Sequence, residues 1–239
     1  MPVLPTDAND SPNYTPAQHA THHNVLAGIN NELGNFVQSA SEPGSPADGD
    51  LWLDTDEDAQ SGTSASPVVI AEQTLASAAT FIEFSGIPAT YKHLLVEGRM
   101  RSDRSGATTD VVYMRVGSGG SVDTAGTSYR FIITDKMTAD TNSTSGAQIQ
   151  IGRCPGATAD ADVFGSFEVK IQDYLTTTYW RWFKGETMIH ESGSAFNYTV
   201  AHAAWKNKAN AIDVIRFFPA TGPNFIAGSQ LRLIGIPAP

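Results

Sequence analysis

Residues 163–172, VFGSFEVKIQ, alternate along the chain: Phe167, Val169 and Ile171 fall on one side, and Glu168, Lys170 and Gln172 on the other. That period of two is the mark of a β-strand with one face buried and one face in water. The same alternation recurs outward from it. Candidate strands lie at 68–75, 80–84, 93–100, 111–116, 128–134, 148–151, 178–184, 199–205, 211–218 and 230–236. Between them run loops of Gly, Ser, Thr, Ala and Asp at 102–110, 117–127, 135–147, 153–162 and 220–229. Many short strands separated by turn formers predict an all-β chain, an antiparallel jelly-roll-like β-sandwich. No repeat of 20–50 residues is evident, which argues against a propeller or a solenoid.

Upstream of residue 68 the pattern changes. Residues 15–36, TPAQHATHHNVLAGINNELGNF, predict one short helix. Thr15 and Gln18 form a capping box around Pro16, and Gly34 offers a left-handed exit. His19, His22, Leu26, Ile29, Leu33 and Phe36 recur every three or four residues, which makes a narrow seam suited to self-association. A helix this short needs partners in water. The expectation is therefore an N-terminal oligomerisation helix, trimeric, with Leu26, Ile29, Leu33 and Phe36 as its contacts. A helix packed on its own domain is the rival.

Three segments follow: an anchor leader and helix over 1–38, a linker over 39–66, and the sandwich over 67–239. The linker is rich in Ser, Pro, Gly and Asp but carries Leu51-Trp52-Leu53. A Trp between two leucines is expected to bury itself, so these residues predict a strand or hook packed on a neighbouring element or chain.

The 239 residues carry a net charge of −10, distributed very unevenly. Residues 1–91 hold 12 acidic side chains and no Lys or Arg, whereas residues 92–239 set 13 acids against 15 bases. An acidic arm on a near-neutral body argues against nucleic-acid binding, which needs a basic footprint. It suits docking on a basic partner surface. No apolar run reaches the length of a membrane span, so no membrane insertion is expected. No charged segment followed by an apolar stretch opens the chain, so no secretory route is expected, and Asn142 and Asn197 are incidental matches to glycosylation acceptors. Cys154 is the single cysteine, which excludes an internal disulfide.

Chemistry is sparse. His19 and His22 have helical spacing for a metal, and in a trimer they could ring an ion on the axis. The weightier reading is a polar layer that sets register. Asp54, Asp56 and Asp58 open like a calcium loop, but Ala59 stands where the turn needs Gly and Ala65 where the loop needs Glu. Tyr179-Trp180-Arg181-Trp182-Phe183 is the densest aromatic cluster. It reads as a core layer plus a half-buried outer face, with a sugar-stacking platform as the rival. Gly117-Ser118-Gly119-Gly120 opens no helix and has no Lys, so it is a loop. Nucleophile elbows, phosphate loops and dinucleotide fingerprints are missing, and carboxylate pairs such as Glu97 with Asp110 or Glu168 with Asp173 carry no spacing signal. No enzyme activity and no cofactor are expected.

Four stretches, taken in order, resemble tailed-bacteriophage minor tail and tail-fibre proteins. Residues 14–24, YTPAQHATHHN, are similar to the opening of minor tail proteins. Residues 49–55, GDLWLDT, are similar to a segment that precedes receptor-facing domains. Residues 84–96, FSGIPATYKHLLV, and 227–236, AGSQLRLIGI, resemble the first and last core strands of fibre-tip sandwiches. The resemblance implies a virion structural protein, on the tail or the capsid surface. Its acidic N-terminal arm would meet other virion proteins, and its sandwich would contact a host-surface glycan or protein. A capsid fibre or decoration protein on the phage head, and a carbohydrate-binding or glycan-hydrolysing jelly-roll module, are the alternatives. The chain lacks the long shaft of a typical fibre.

Overall fold

The computed structural model describes residues 66–135, 139–193 and 195–238, with only the backbone of 139–145, and in addition the backbone of two dipeptides near the N-terminus. The chain divides into two compact units, Met1–Thr63 and Ser64–Pro239. In the first unit, β1 (Gln38–Ser39) and β2 (Leu53–Asp54) pair in parallel. The expected helix over 15–36, with His19, His22, Leu26, Ile29, Leu33 and Phe36, lies outside the described residues, as do Leu51 and Trp52 of the expected hook.

The described part of the second unit is all β. Its strands are β3 (Val68–Thr74), β4 (Ile82–Ser85), β5 (His93–Met100), β6 (Thr109–Ser118), β7 (Ser121–Val122), β8 (Tyr129–Asp135), β9 (Ala139–Gly146), β10 (Ile149–Pro155), β11 (Gly165–Ile171), β12 (Arg181–Ser192), β13 (Ala195–Trp205), β14 (Val214–Pro219) and β15 (Gln230–Ile236). They form two antiparallel sheets. The larger runs β3-β15-β5-β11-β12-β13-β8-β9, and the smaller runs β10-β6-β14-β4 with β7 attached to β6.

Alternation explains the layering. In β11, Phe167, Val169 and Ile171 are buried and Glu168 and Lys170 exposed, and β6 buries Val112, Met114 and Val116 in the same rhythm. Inward side chains of both sheets share one core, where Phe167 of β11 meets Phe217 of β14 edge-to-face at 5.3 Å. Each fully buried aliphatic or aromatic side chain contributes about 1.5–3 kcal/mol over leaving it in water.

The sheets come closest where β10 packs across β12 and β13. Small residues make that approach possible. A Cβ on Gly185 of β12 would lie 2.8 Å from the Ile151 carbonyl oxygen of β10. Buried charges pin the loops at one end. Arg101 donates to the carbonyls of Asp160 (2.6 Å), Val163 (3.1 Å) and Ala159 (3.1 Å), which holds the loop after β10. Asp110 accepts from the amides of Val111 (2.9 Å) and Gly222 (2.8 Å), which holds the loop after β14.

Three expectations are corrected. Residues 135–147, read as a loop, contain β9, whose sequence ADTNSTSG shows no apolar alternation. It pairs with β8 at the sheet edge, and backbone pairing leaves no mark in a sequence. The strand expected at 178–184 instead starts at Arg181 and runs to Ser192, because Gly185 serves the close approach to Ile151 and does not end the strand. Its partner β13 begins at Ala195, four residues before the expected start.

Candidate functional site

The aromatic run at 179–183 lies where β11, β12 and β13 are neighbours, and the structure sorts its two faces unambiguously. Arg181 and Phe183 turn into the core, whereas Trp182 is 53% exposed and Tyr179 47% exposed. Trp180 is half-buried and precedes the strand. The core side of the run thus holds an arginine and a phenylalanine, and a tryptophan stands outside.

Arg181 is fully buried and has no carboxylate partner among the described residues. Its guanidinium lies 4.4 Å from the centroid of the Trp205 ring and donates to the carbonyls of Thr176 (2.7 Å) and Asn210. A buried cation is tolerated when backbone dipoles and an aromatic face replace its water. Trp205 in turn donates from Nε1 to Asp123 Oδ2 at 2.8 Å. Tyr129, whose hydroxyl donates to the Val116 carbonyl at 2.7 Å, closes this network, and burial pushes its pKa far up. These groups hold the fold together.

Outside, the strand register places side chains in rows across the sheet. Gln172, Trp182, Ala204 and Arg130 form one row, the Gln172 amide donating to the Trp182 carbonyl at 3.1 Å. Lys170, Lys184, His202 and Ile132 form the next. One row further, Glu97, Glu168 and Glu186 are directly opposite one another on β5, β11 and β12. Lys184 pairs with Glu186, and Arg232 with Glu97. Lys170 and Arg130 make no ion pair among the described residues. A depression of about 290 Å³ opens beside Trp182, lined by Lys170, Gln172, Trp182, Phe183, Lys184 and His202. Further along the β12–β13 hairpin the same face exposes Met188, Tyr198 and Phe196, the last with its ring 4.9 Å from that of His190.

The outer face of the smaller sheet is different. There the aromatic rings are covered by the chain's own arginines. Arg216 stacks on Phe81 at 4.3 Å and pairs with Glu83 at 2.6 Å, while Arg115 stacks on Phe218 at 4.8 Å. Among the described residues Trp182 has no such ring or cation partner.

The other candidates from the sequence have structural occupations. Asp173 pairs with Lys92 at 2.7 Å and accepts from the Tyr179 hydroxyl at 2.9 Å. Asp110 is buried between loop amides of the smaller sheet, and Glu97 lies on the outer face of the larger one, so that pair is not brought together. Glu168 faces Glu97 and Glu186 and does not face Asp173. Gly119 and Gly120 form the β6–β7 turn, and Asp213 accepts from both amides at 2.7 and 3.3 Å. Asn197 is 3% exposed and donates to Glu191, so its side chain is closed to glycosylation.

No family model matches the chain. No curated protein matches it either. Among solved structures it is similar to the CBM2 module of the evolved Dit of Lactobacillus casei BL23 phage J-1. The identity is 9% and the TM-score 0.24, over 87% of this chain and 86% of that one. A likeness of that size transfers neither fold nor role.

Sequence reasoning missed Lys170 and His202 as neighbours of Trp182. They come from β11 and β13, and only the register joins them.

Proposed function

We propose that the chain is a structural protein of a tailed-phage particle, which displays its β-sandwich to the host surface and does no chemistry on it. The observation that carries this reading is the outer face of the larger sheet. It leaves Trp182, Met188, Phe196, Tyr198 and Ile132 in solvent on a broad, shallow surface, where the opposite sheet caps its own aromatic rings. An exposed aromatic surface of this kind marks an interaction site. The buried ionic groups Arg101, Asp110 and Arg181 are all engaged in holding loops and core, as a display scaffold requires.

The four stretches similar to minor tail and fibre proteins support the same reading, as does the acidic arm. On this reading the sandwich is jelly-roll-like, its chain crossing repeatedly between the two sheets. Residues 1–38 moor it to other virion proteins and gather three copies through Leu26, Ile29, Leu33 and Phe36. Three copies per fibre and several fibres per particle multiply a weak single-site affinity.

Immunogold labelling of purified particles with antibodies to the sandwich tests it. Gold on the tail is expected. Gold on the head alone replaces the tail reading with that of a capsid decoration protein, and particles free of the protein overturn the virion assignment.

A further inference from the structure

We propose that the depression beside Trp182 binds a single acidic sugar unit, a hexose bearing a carboxylate or a phosphate. The inference rests on the host-surface reading for its biological place, but the site itself is argued from residues alone. Trp182 offers a solvent-facing indole with no ring or cation on it among the described residues, unlike Phe81 and Phe218 on the opposite sheet. An aromatic face so left stacks on the C–H face of a pyranose ring.

Around it the charged groups of the lining are both cationic. Lys170 and Lys184 stand opposite one another in the next row, and Gln172 and His202 supply hydrogen bonds. Lys184 is held by Glu186, and Lys170 acts on the same carboxylate at longer range but makes no ion pair among the described residues, which leaves it the cation placed for an anion. Such charge-assisted bonds are about twice as strong as neutral ones.

The acid row Glu97, Glu168 and Glu186 lies on the far side of the lysines and repels an anion from that direction, which confines it to the Trp182 end. A volume of about 290 Å³ is at the small end of ligand sites, which run from about 300 to 1,000 Å³, and suits one sugar unit. A nucleic-acid strand is disfavoured, because it needs a basic track over several phosphates and the chain carries −10.

The test is an array of oligosaccharides in three sets, uronate-bearing, phosphate-bearing and neutral, probed with the full chain and three variants. Wild type should retain an acidic set and leave the neutral set bare. The set retained tells carboxylate from phosphate. Trp182→Ala should weaken that binding at least about tenfold, and Lys170→Gln several-fold, with added salt acting in the same direction. Phe81→Ala, beside the smaller sheet and away from the depression, should leave it unchanged. No binding to either acidic set, equal binding to the neutral set, or an unchanged Trp182→Ala variant with native circular dichroism overturns the site. Acidic-sugar binding by a chain absent from particles sinks the virion reading alone. A chain present on particles that ignores acidic sugars sinks this site alone.

Discussion

Gly152 of β10 lies so close to Thr187 of β12 that a Cβ on it would stand 2.3 Å from the threonine methyl and 2.4 Å from the hydroxyl. The next amide, that of Arg153, donates to Thr187 Oγ1 at 3.1 Å. This contact sets the spacing of the two sheets over the core. Gly152 also has a φ of +157°, which L side chains rarely adopt. Gly152→Ala should therefore cost about 2–4 kcal/mol by overpacking and backbone strain together. Thr187→Val, which keeps the shape and loses the acceptor, should cost about 1–2 kcal/mol. Urea unfolding midpoints measure both.

Arg181 is held by one aromatic face and two carbonyls, with no carboxylate beside it among the described residues. Arg181→Lys should destabilise nearly as much as Arg181→Ala, about 2–4 kcal/mol, since an ammonium can neither stack flat on Trp205 nor reach both carbonyls. If the role were charge alone, the lysine variant would unfold at the wild-type temperature.

Burial pushes the Asp123 carboxyl up, but hydrogen bonds from Trp205, the Ala125 amide and Ser128 outweigh it, so its pKa lies below the usual value. The Lys92 hydrogen bond holds Asp173 low as well, against its partial burial. Groups lowered on folding stabilise above the unfolded pKa, about 3.9 for aspartate. That stability is lost as pH falls through the folded values. Stability should thus be flat from pH 7 to about 5 and decline below about pH 4. Asp123→Asn should flatten the decline, as read from unfolding midpoints at each pH.

Cys154 is buried, and burial pushes its thiol up to about 12. Thiolate is the reacting form, so labelling by iodoacetamide at pH 8 should wait for unfolding. Its rate should rise with urea in step with the loss of structure, and prompt stoichiometric labelling of the native protein would contradict this placement.

Leu26→Asp with Ile29→Asp should leave the sandwich folded and break the proposed trimer. Sedimentation equilibrium reads the mass, and a double variant that remains trimeric would remove the seam from the mechanism.

Much of the architecture was legible before any coordinates. β5 and β15 begin and end where their alternation does, at His93–Met100 and Gln230–Ile236. Local pattern is enough there, since short apolar-rich runs bounded by turn formers mark buried strands even where, as at Leu233–Gly235, both faces are covered. β9 was not legible, because its Asp, Thr, Asn and Ser carry no apolar alternation and the backbone pairing with β8 leaves no mark in a sequence.

The sequence by itself determined that this chain alternates, turns often and concentrates its acid before Lys92. These are properties of near neighbours, written in a period of two. Only the tertiary structure decided that Arg181 goes inward and Trp182 outward, because both faces of that run are bulky and period alone does not choose between them. Only it brought Lys170, Trp182 and His202 together. They belong to three strands, and pairing across a sheet is fixed by long-range register, which no local window of residues contains.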